Sequence, residues 1–182
     1  MAVQTVIRMG HPRLRELAKP YPIDQIGSTA FSELILDMRE TLAAYGGIGL
    51  AAPQIDVGYQ IAVIEIVNTQ SRYGTIEPLP FTVFVNPTIS IVDPAEAGYW
   101  EGCLSVPGLM GYVERPQHIR VDYLDHQGTP QHFEPTGFLA TVFQHEFDHL
   151  EGKLYIDRMQ DTTRLSFEDE YRQFELNEGT TE

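Results

Sequence analysis

The stretch Gln144-His145-Glu146-Phe147-Asp148-His149-Leu150 places two histidines four residues apart, with a glutamate directly after the first. On an α-helix, residues four apart lie one above the other, so both imidazoles can reach one cation while Glu146 stays close but unbound. The spacing predicts a hydrolytic metal site in which the histidines hold a Lewis acid and the glutamate moves protons. The alternative is an amphipathic helix on which these side chains are only polar surface.

The segments around this motif predict helices. Residues 137–150 are apolar on much of the helical circumference, which predicts a buried helix that ends near Gly152. Apolar side chains also recur at three-four spacing from Phe31 to Leu42, which predicts an amphipathic helix between Ser28 and Gly46. We expect a short helix from Pro12 that ends before Pro20. A last helix over 164–176 is predicted to bury Leu165, Phe167, Tyr171 and Phe174.

The middle of the chain, from about residue 60 to 132, is typical of strands. Runs rich in β-branched residues lie at 61–67, 82–85, 89–92 and 119–124. Turn residues such as Asn86-Pro87, Asp93-Pro94 and Gln127-Gly128 separate them at short intervals, which favours antiparallel pairing. The pattern predicts one α+β domain over residues 1–182, with helices at both chain ends.

Composition narrows the function classes. The 182 residues have a net charge of −14, which disfavours binding to nucleic acid or anionic lipid, and the acidic segment beyond residue 161 is expected to be a solvated helix face and tail. No apolar run approaches the roughly 20 residues of a membrane span, so we expect a soluble protein. The single cysteine excludes an intrachain disulfide and favours a reducing compartment. The first 20 residues lack a secretory apolar core and contain no serine, so we assign them to the fold rather than to a targeting peptide.

A catalytic metal that keeps one position open typically takes three protein ligands, so a third must come from outside the histidine motif. Cys103 is the natural candidate because it is the only thiol. It follows Gly102, where a missing side chain lets backbone approach closely. The alternative is a buried free cysteine that acts as a small hydrophobic residue.

A glycine-containing segment, Gly47-Ile48-Gly49-Leu50-Ala51-Ala52-Pro53-Gln54, follows the first long helix. No strand precedes it and no longer glycine pattern supports a phosphate-binding loop. Taken alone, it is equally well a loop that ends the helix.

Together and in this order, three segments resemble the sequence motifs of the peptide deformylases: 47–54, Glu101-Gly102-Cys103-Leu104-Ser105, and 144–149. The resemblance extends from about Val6 to about Phe174. It implies antiparallel strands packed around a central metal-bearing helix, and a hydrolase that removes the formyl group from N-formylmethionyl peptides of newly made proteins. The implied roles are metal ligands for Cys103, His145 and His149, general acid/base for Glu146, and oxyanion donors for Gln54 and the backbone amide of Leu104.

The resemblance also implies the cofactor, one divalent cation, with Fe²⁺ as the native ion. A thiolate and two neutral imidazoles form a soft site of net charge +1 that is also compatible with Zn²⁺, Ni²⁺ or Co²⁺. An iron-bound thiolate is oxidisable, so sensitivity to oxygen is expected.

The expected substrate is a nascent peptide that begins with N-formylmethionine, and its unbranched side chain needs an apolar slot. Candidate walls are Ile48, Leu104, Thr141 and Val142, for which ordinary core packing is an equal alternative. The peptide backbone is expected to add as a strand along Gly47-Ile48-Gly49. We expect a monomer that binds neither nucleic acid nor membrane, in a bacterial cytoplasm rather than an organelle stroma or matrix.

Three further features bear on the site. Glu101 and Asp148 stand beside predicted ligands and are candidates to orient them, paired with Arg115, although an ordinary structural ion pair is an alternative. Many deformylases have an arginine where Met110 stands here, which removes that charge from the peptide site. Asp56 stands where glycine is common in the family and is expected to alter only a turn.

Two rival functions remain open from the residues alone. A zinc endopeptidase would use the same histidine motif with a ligand other than Cys103. A non-catalytic, metal-stabilised binding module would close its fourth coordination position and would need no base, so the presence of Glu146 and Gln54 opposes it.

Overall fold

The computed structural model describes residues 2–67, 70–71 and 74–176. Helix α1 spans Thr29–Tyr45, α2 spans Gly137–Leu150, and a three-residue α3, Glu168–Glu170, continues as a π-helical turn, Tyr171–Glu175. Single 3₁₀ turns occupy Pro12–Arg15, Ile23–Gln25, Ala52–Ile55, Tyr155–Arg158 and Thr162–Arg164. In the ranges described, every helix is too short or too polar to cross a membrane.

Helix α1 begins and ends at the residues that the sequence indicates. The Ser28 hydroxyl accepts a hydrogen bond from the Phe31 backbone N–H at 3.2 Å, which caps the first turn. Gly46 closes the helix in the left-handed region, with φ of 69°, where a residue with a side chain would be strained. The helix predicted between Ser28 and Gly46 is therefore confirmed. At Asp56 a similar positive φ, 64°, ends the turn Ala52–Ile55, so the aspartate keeps this turn in place of a glycine.

The strands form one antiparallel sheet and a separate small ribbon. The sheet contains β1 (Gly49–Ala51), β2 (Ile61–Ile66), β5 (Leu79–Cys103), β6 (Val106–Leu124), β7 (Pro130–Phe133) and β8 (Leu165–Phe167). Its order is β1-β2-β5-β6-β7, and β8 pairs with the opposite end of β6. The ribbon pairs β3 (Gln70–Ser71) with β4 (Gly74–Thr75). An α+β fold with antiparallel strands is confirmed.

The prediction of separate strands at 82–85 and 89–92 is wrong, because β5 runs without interruption from Leu79 to Cys103. The proline sites that predicted turns coincide with shifts of register against β6, between Val85 and Thr88 and between Asp93 and Glu96. A bulge leaves one residue outside the hydrogen-bond ladder, so a proline without an N–H is tolerated there. The strand bends at these prolines but does not end.

The two long helices lie on opposite faces of the sheet. Strand β2 is buried on both faces because successive side chains point to opposite sides. Ala62, Ile64 and Ile66 pack in one cluster with the apolar residues of α2, whereas Ile61 and Val63 pack in another with those of α1. Helix α2 is therefore held inside the protein with one side against the sheet, as the sequence predicts.

The predicted last helix is wrong in its first half. Residues Leu165–Phe167 form strand β8, paired with Leu109–Gly111 of β6, and only the following residues are helical. Tyr171 is buried, but Leu165, Phe167 and Phe174 are exposed. The spacing of apolar residues in this segment is compatible with a helix, so it did not reveal that Leu165–Phe167 would pair with a sheet edge as a strand. The acidic helix face and tail were expected beyond residue 161, and their last part, 177–182, lies outside the described residues.

Candidate active site

Helix α2 and the end of β5 bring the predicted ligands together. His145 and His149 lie one turn apart on α2, and Cys103 lies at the last position of β5, opposite Val106 across the hairpin to β6. The donor atoms of these three residues lie within 4.8 Å of one another. Within the described part of the chain, this is the only group of three or more His, Cys, Asp or Glu side chains so arranged.

The donor set fits one cation. The Sγ of Cys103 lies 3.3 Å from Nε2 of His149. Sulfur and nitrogen atoms bound to one zinc ion, at roughly 2.0 to 2.3 Å each, lie about 3 to 4 Å apart. A small movement of the three donor atoms toward a common centre would bring each of them to bonding distance from one cation. Three protein ligands leave the fourth tetrahedral position open.

The electrostatics of the trio favour a thiolate, which is the form of cysteine that binds metal. Burial opposes ionisation of Cys103, but the charge of His149 and hydrogen bonds with both histidines lower its pKa to about 5. Burial likewise opposes charge on His145, whereas hydrogen bonds to Cys103 and Glu101 hold its pKa well above the ordinary value. The Cys103 thiolate and a charged His145 therefore stabilise one another.

Glu101 orients His145. Its Oε2 lies 2.7 Å from Nδ1 of His145, which turns the other ring nitrogen toward Cys103. Arg115 holds this carboxylate with two hydrogen bonds, of 2.7 and 3.1 Å, and also donates to Asp148 at 2.8 Å. Asp148 is held from its other side by Arg158. The expected pairing of Arg115 with both carboxylates is thus present, and Arg158 is a further member.

Replacing Arg115 by methionine is expected to destabilise the protein by about 3 to 5 kcal/mol, because Glu101 would lose the arginine that pairs with it while remaining buried. Chemical denaturation of the metal-free proteins measures this loss. Arg120 provides the control, since its ion pairs with Asp122 and Glu134 lie at the surface and Arg120→Met should cost far less. Equal losses of unfolding free energy in the two variants would show that the buried ion pairs of Arg115 do not stabilise the site.

Glu146 lies in the same cleft and faces strand β1. A Cβ atom added at Gly49 would overlap the Glu146 carboxylate, so only glycine leaves room for it there. Burial raises the pKa of Glu146, against the opposing charges of the two histidines. Its Oε2 is buried and has no hydrogen-bond partner among the described atoms. The position suits a carboxylate that exchanges protons with a small ligand.

Gln54 is fixed by its own loop. Its Oε1 accepts from the Ala51 backbone N–H at 2.8 Å, so its Nε2 points to the Cys103 hairpin, 3.2 Å from Ser105 Oγ and 3.6 Å from Cys103 Sγ. Leu104 lies in the turn between these two residues and lines the cleft. The two predicted oxyanion donors therefore lie beside the predicted metal position. The segment 47–54 contains strand β1 and a 3₁₀ turn rather than an irregular loop.

These residues line a cleft of about 1110 Å³. All of the predicted pocket residues reach it: Ile48, Gly49, Gly102, Leu104, Thr141 and Val142. Met110 also lines the cleft, and its Sδ lies 2.8 Å from where a Cβ at Gly102 would stand. Pockets for small molecules measure roughly 300 to 1,000 Å³, so this cleft is large enough for a peptide.

Three residues of the site were not predicted from the sequence. The Tyr155 ring stacks on the His145 imidazole, at 6.0 Å between centroids and 17° between planes. Arg158 binds Asp148, and Ser105 accepts from Gln54. None of these contacts has a local signal, except that Ser105 belongs to the motif that contains Cys103.

Comparisons with known proteins agree with one another. A sequence model of the polypeptide deformylase family matches residues 3–165. The chain is 42% identical to peptide deformylase 2 of Pseudomonas syringae pv. tomato over 167 residues, which cover 92% of this chain and 93% of that protein. It is 45% identical to the peptide deformylase of Saccharophagus degradans over 165 residues, 90% of this chain and 89% of that one. The structure matches a class I type b peptide deformylase from Acinetobacter baumannii bound to Met-Ala-Ser, with a TM-score of 0.81 and 32% identity over 87% of this chain and 99% of that one.

Proposed function

Because the chain belongs to the peptide deformylase family and removes the formyl group from N-formylmethionyl peptides, we propose that Cys103, His145 and His149 hold its catalytic cation and that Glu146 moves the proton. The observation that supports this assignment is the convergence of one sulfur and two imidazoles beside a buried carboxylate. We further propose that residues 1–182 form one catalytic domain. The rival endopeptidase needs a ligand other than Cys103, and the family match gives it no support.

The reaction adds water across the formyl amide bond. When bound, the cation would polarise the formyl carbonyl and lower the pKa of the attacking water. Glu146 accepts a proton from this water while the water oxygen attacks the formyl carbon. Glu146 then delivers the proton to the departing nitrogen, which leaves formate and a peptide with a free amino terminus. The raised pKa of Glu146 favours the first step, because it makes the carboxylate a stronger base toward water, and the protonated carboxyl then carries the proton to the departing nitrogen.

Gln54 and Leu104 stabilise the tetrahedral oxyanion. The hydrogen bond from Ala51 fixes the Gln54 amide group, so its Nε2 needs little reorganisation to donate to the oxyanion. The Leu104 backbone N–H, in the turn after Cys103, provides the second donor.

The methionine side chain enters the apolar part of the cleft between Ile48, Leu104 and Val142. The peptide backbone adds to strand β1, which lies at the edge of the sheet. Among the described strands, β1 pairs with β2 on one side and with none on the other. Backbone hydrogen bonds to such an edge bind any sequence, whereas the side-chain slot selects methionine. The similar deformylase from Acinetobacter baumannii binds the tripeptide Met-Ala-Ser, which supports a peptide that begins with methionine as the ligand here.

We propose Fe²⁺ as the native ion, because a thiolate with two imidazoles suits a soft or borderline cation. Elemental analysis of protein purified without oxygen identifies the ion.

The bacterial relatives support a cytoplasmic enzyme that meets nascent chains, and we propose that it acts as a monomer.

Replacing Gln54 by alanine is expected to lower kcat for formate release from a formyl-Met tripeptide by about 10²- to 10³-fold, which corresponds to roughly 2.7 to 4 kcal/mol of lost transition-state stabilisation. Gln60→Ala is the control, since the Gln60 side chain donates to the Ala18 carbonyl away from the cleft. The assignment fails if the two variants release formate at the same rate. The proposed function fails if the wild-type protein releases none.

A further inference from the structure

The cleft extends beyond the residues that the proposed mechanism uses. Its N-terminal wall is formed by residues 5–8, which lie across both oxyanion segments. The Ile7 N–H donates to the Gln54 carbonyl and the Met9 N–H donates to the Ser105 carbonyl, each at 2.8 Å. Arg8, between these two anchors, lines the cleft next to the reaction site.

The C-terminal segment forms another part of the cleft wall. Strand β8 pairs with Leu109–Gly111, which places Met110 beside it. The Tyr171 ring packs on Trp100, at 4.8 Å between centroids, and so fixes the helical turn that follows. Arg172, the next residue, and Glu168 line the cleft and pair with each other at 2.6 Å.

Arg8 and Arg172 are the only arginine or lysine side chains among the described residues that line the cleft. Arg8 has no ion-pair partner in the described ranges. Of the carboxylates that line the cleft, Glu101 and Glu146 are buried, and Glu168 is the one at the rim. Glu168 offsets the charge of Arg172, so the three described side chains at the rim carry a net charge of +1, opposite in sign to the −14 of the whole chain.

We propose that Arg8 and Arg172 form a cationic rim that binds acidic side chains in the two residues after formylmethionine. The inference rests on the proposed function, since the rim needs a peptide seated along β1. An extended peptide advances about 3.3 to 3.6 Å per residue, so two residues extend about 7 Å beyond the methionine along the cleft that Arg8 and Arg172 line. Such contacts at an exposed rim change rates modestly and depend on salt.

The test compares two isosteric peptides, formyl-Met-Asp-Asp-amide and formyl-Met-Asn-Asn-amide. Their blocked ends leave the side chains as the only difference in charge. For the wild-type enzyme at low ionic strength, kcat/KM should be at least about threefold higher for the aspartate peptide, and added salt should reduce the preference. The net charge of the whole protein predicts the opposite preference, so the sign of the ratio is informative.

The double variant Arg8→Gln, Arg172→Gln should bring the ratio to about one or below. The matched control, Arg39→Gln with Arg120→Gln, removes the same charge from outside the cleft and should keep the wild-type ratio. The rim is refuted if the wild-type ratio is near one, if it survives in the double variant, or if the control loses it equally. If no formyl peptide releases formate, the proposed function itself fails, and the rim fails with it.

Discussion

Replacing Glu146 by glutamine is expected to lower kcat for formate release by about 10²- to 10⁴-fold while the metal content of the protein stays the same. Glutamine fills the same space against Gly49 but cannot accept a proton from water. Glu146 is not among the three residues whose donor atoms converge, so its replacement leaves the donor set intact. Formate assay and metal analysis of the same preparation measure both effects.

Glu151→Gln is the matched control for this variant. Glu151 follows the last residue of α2, is exposed, and pairs with Lys153 at the surface, so its neutralisation should leave the rate near that of the wild type. Equal rates in the wild-type protein and the Glu146 variant would contradict the assigned proton transfer. A non-catalytic metal-binding module predicts that equality.

Replacing Cys103 by serine is expected to abolish stable metal binding and formate release together. Loss of a residue that merely orients a ligand typically costs 10- to 100-fold in metal affinity, so loss of a direct ligand should cost more than about 100-fold. Dialysis followed by metal analysis measures the affinity. The Glu146→Gln protein serves as the comparison, because it should keep its metal although its rate of formate release is also strongly reduced.

An endopeptidase that uses only the histidine motif predicts a different pattern. Its third ligand lies elsewhere, so the serine variant would retain full metal content and wild-type affinity. That result would contradict the assignment of Cys103 whatever the effect on rate. Circular dichroism of the variant verifies that its fold is kept, because Cys103 packs against the small apolar cluster that contains Val106 and Tyr155.

Local sequence signals predicted the helices that lie in the core. The periodicity of α1, its Ser28 cap and the closing Gly46 are each encoded within a few residues, and the structure has all three. The same holds for α2, whose apolar circumference agrees with its burial against the sheet. Such features depend on neighbours in sequence, so they are readable without knowledge of the fold.

The long strands could not be predicted in the same way. Whether Pro87 and Pro94 end a strand or only bend it depends on the partner strand, which accommodates both as bulges. The C-terminal segment failed for a related reason: Leu165–Phe167 becomes a strand because the edge of β6 at Leu109–Gly111 is available to pair with it. Pairing partners distant in the chain leave no local signal.

At the candidate site, the motifs identified the residues that converge but not the contacts that hold them. Cys103 reaches the histidines because β5 ends there and the hairpin to β6 turns beneath α2. Glu101, Arg115, Asp148 and Arg158 form their network across four separate elements. Only Arg115 and the two carboxylates were expected, and the geometry that joins them comes from strand register.

X-ray absorption on the zinc-substituted protein tests the metal site most directly. We predict a coordination shell with one sulfur at about 2.3 Å, two imidazole nitrogens at about 2.0 to 2.1 Å and one light atom from solvent. The sulfur should disappear in the Cys103→Ser variant. A wild-type shell without sulfur, or one filled by four protein donors, would contradict a catalytic site built from Cys103, His145 and His149.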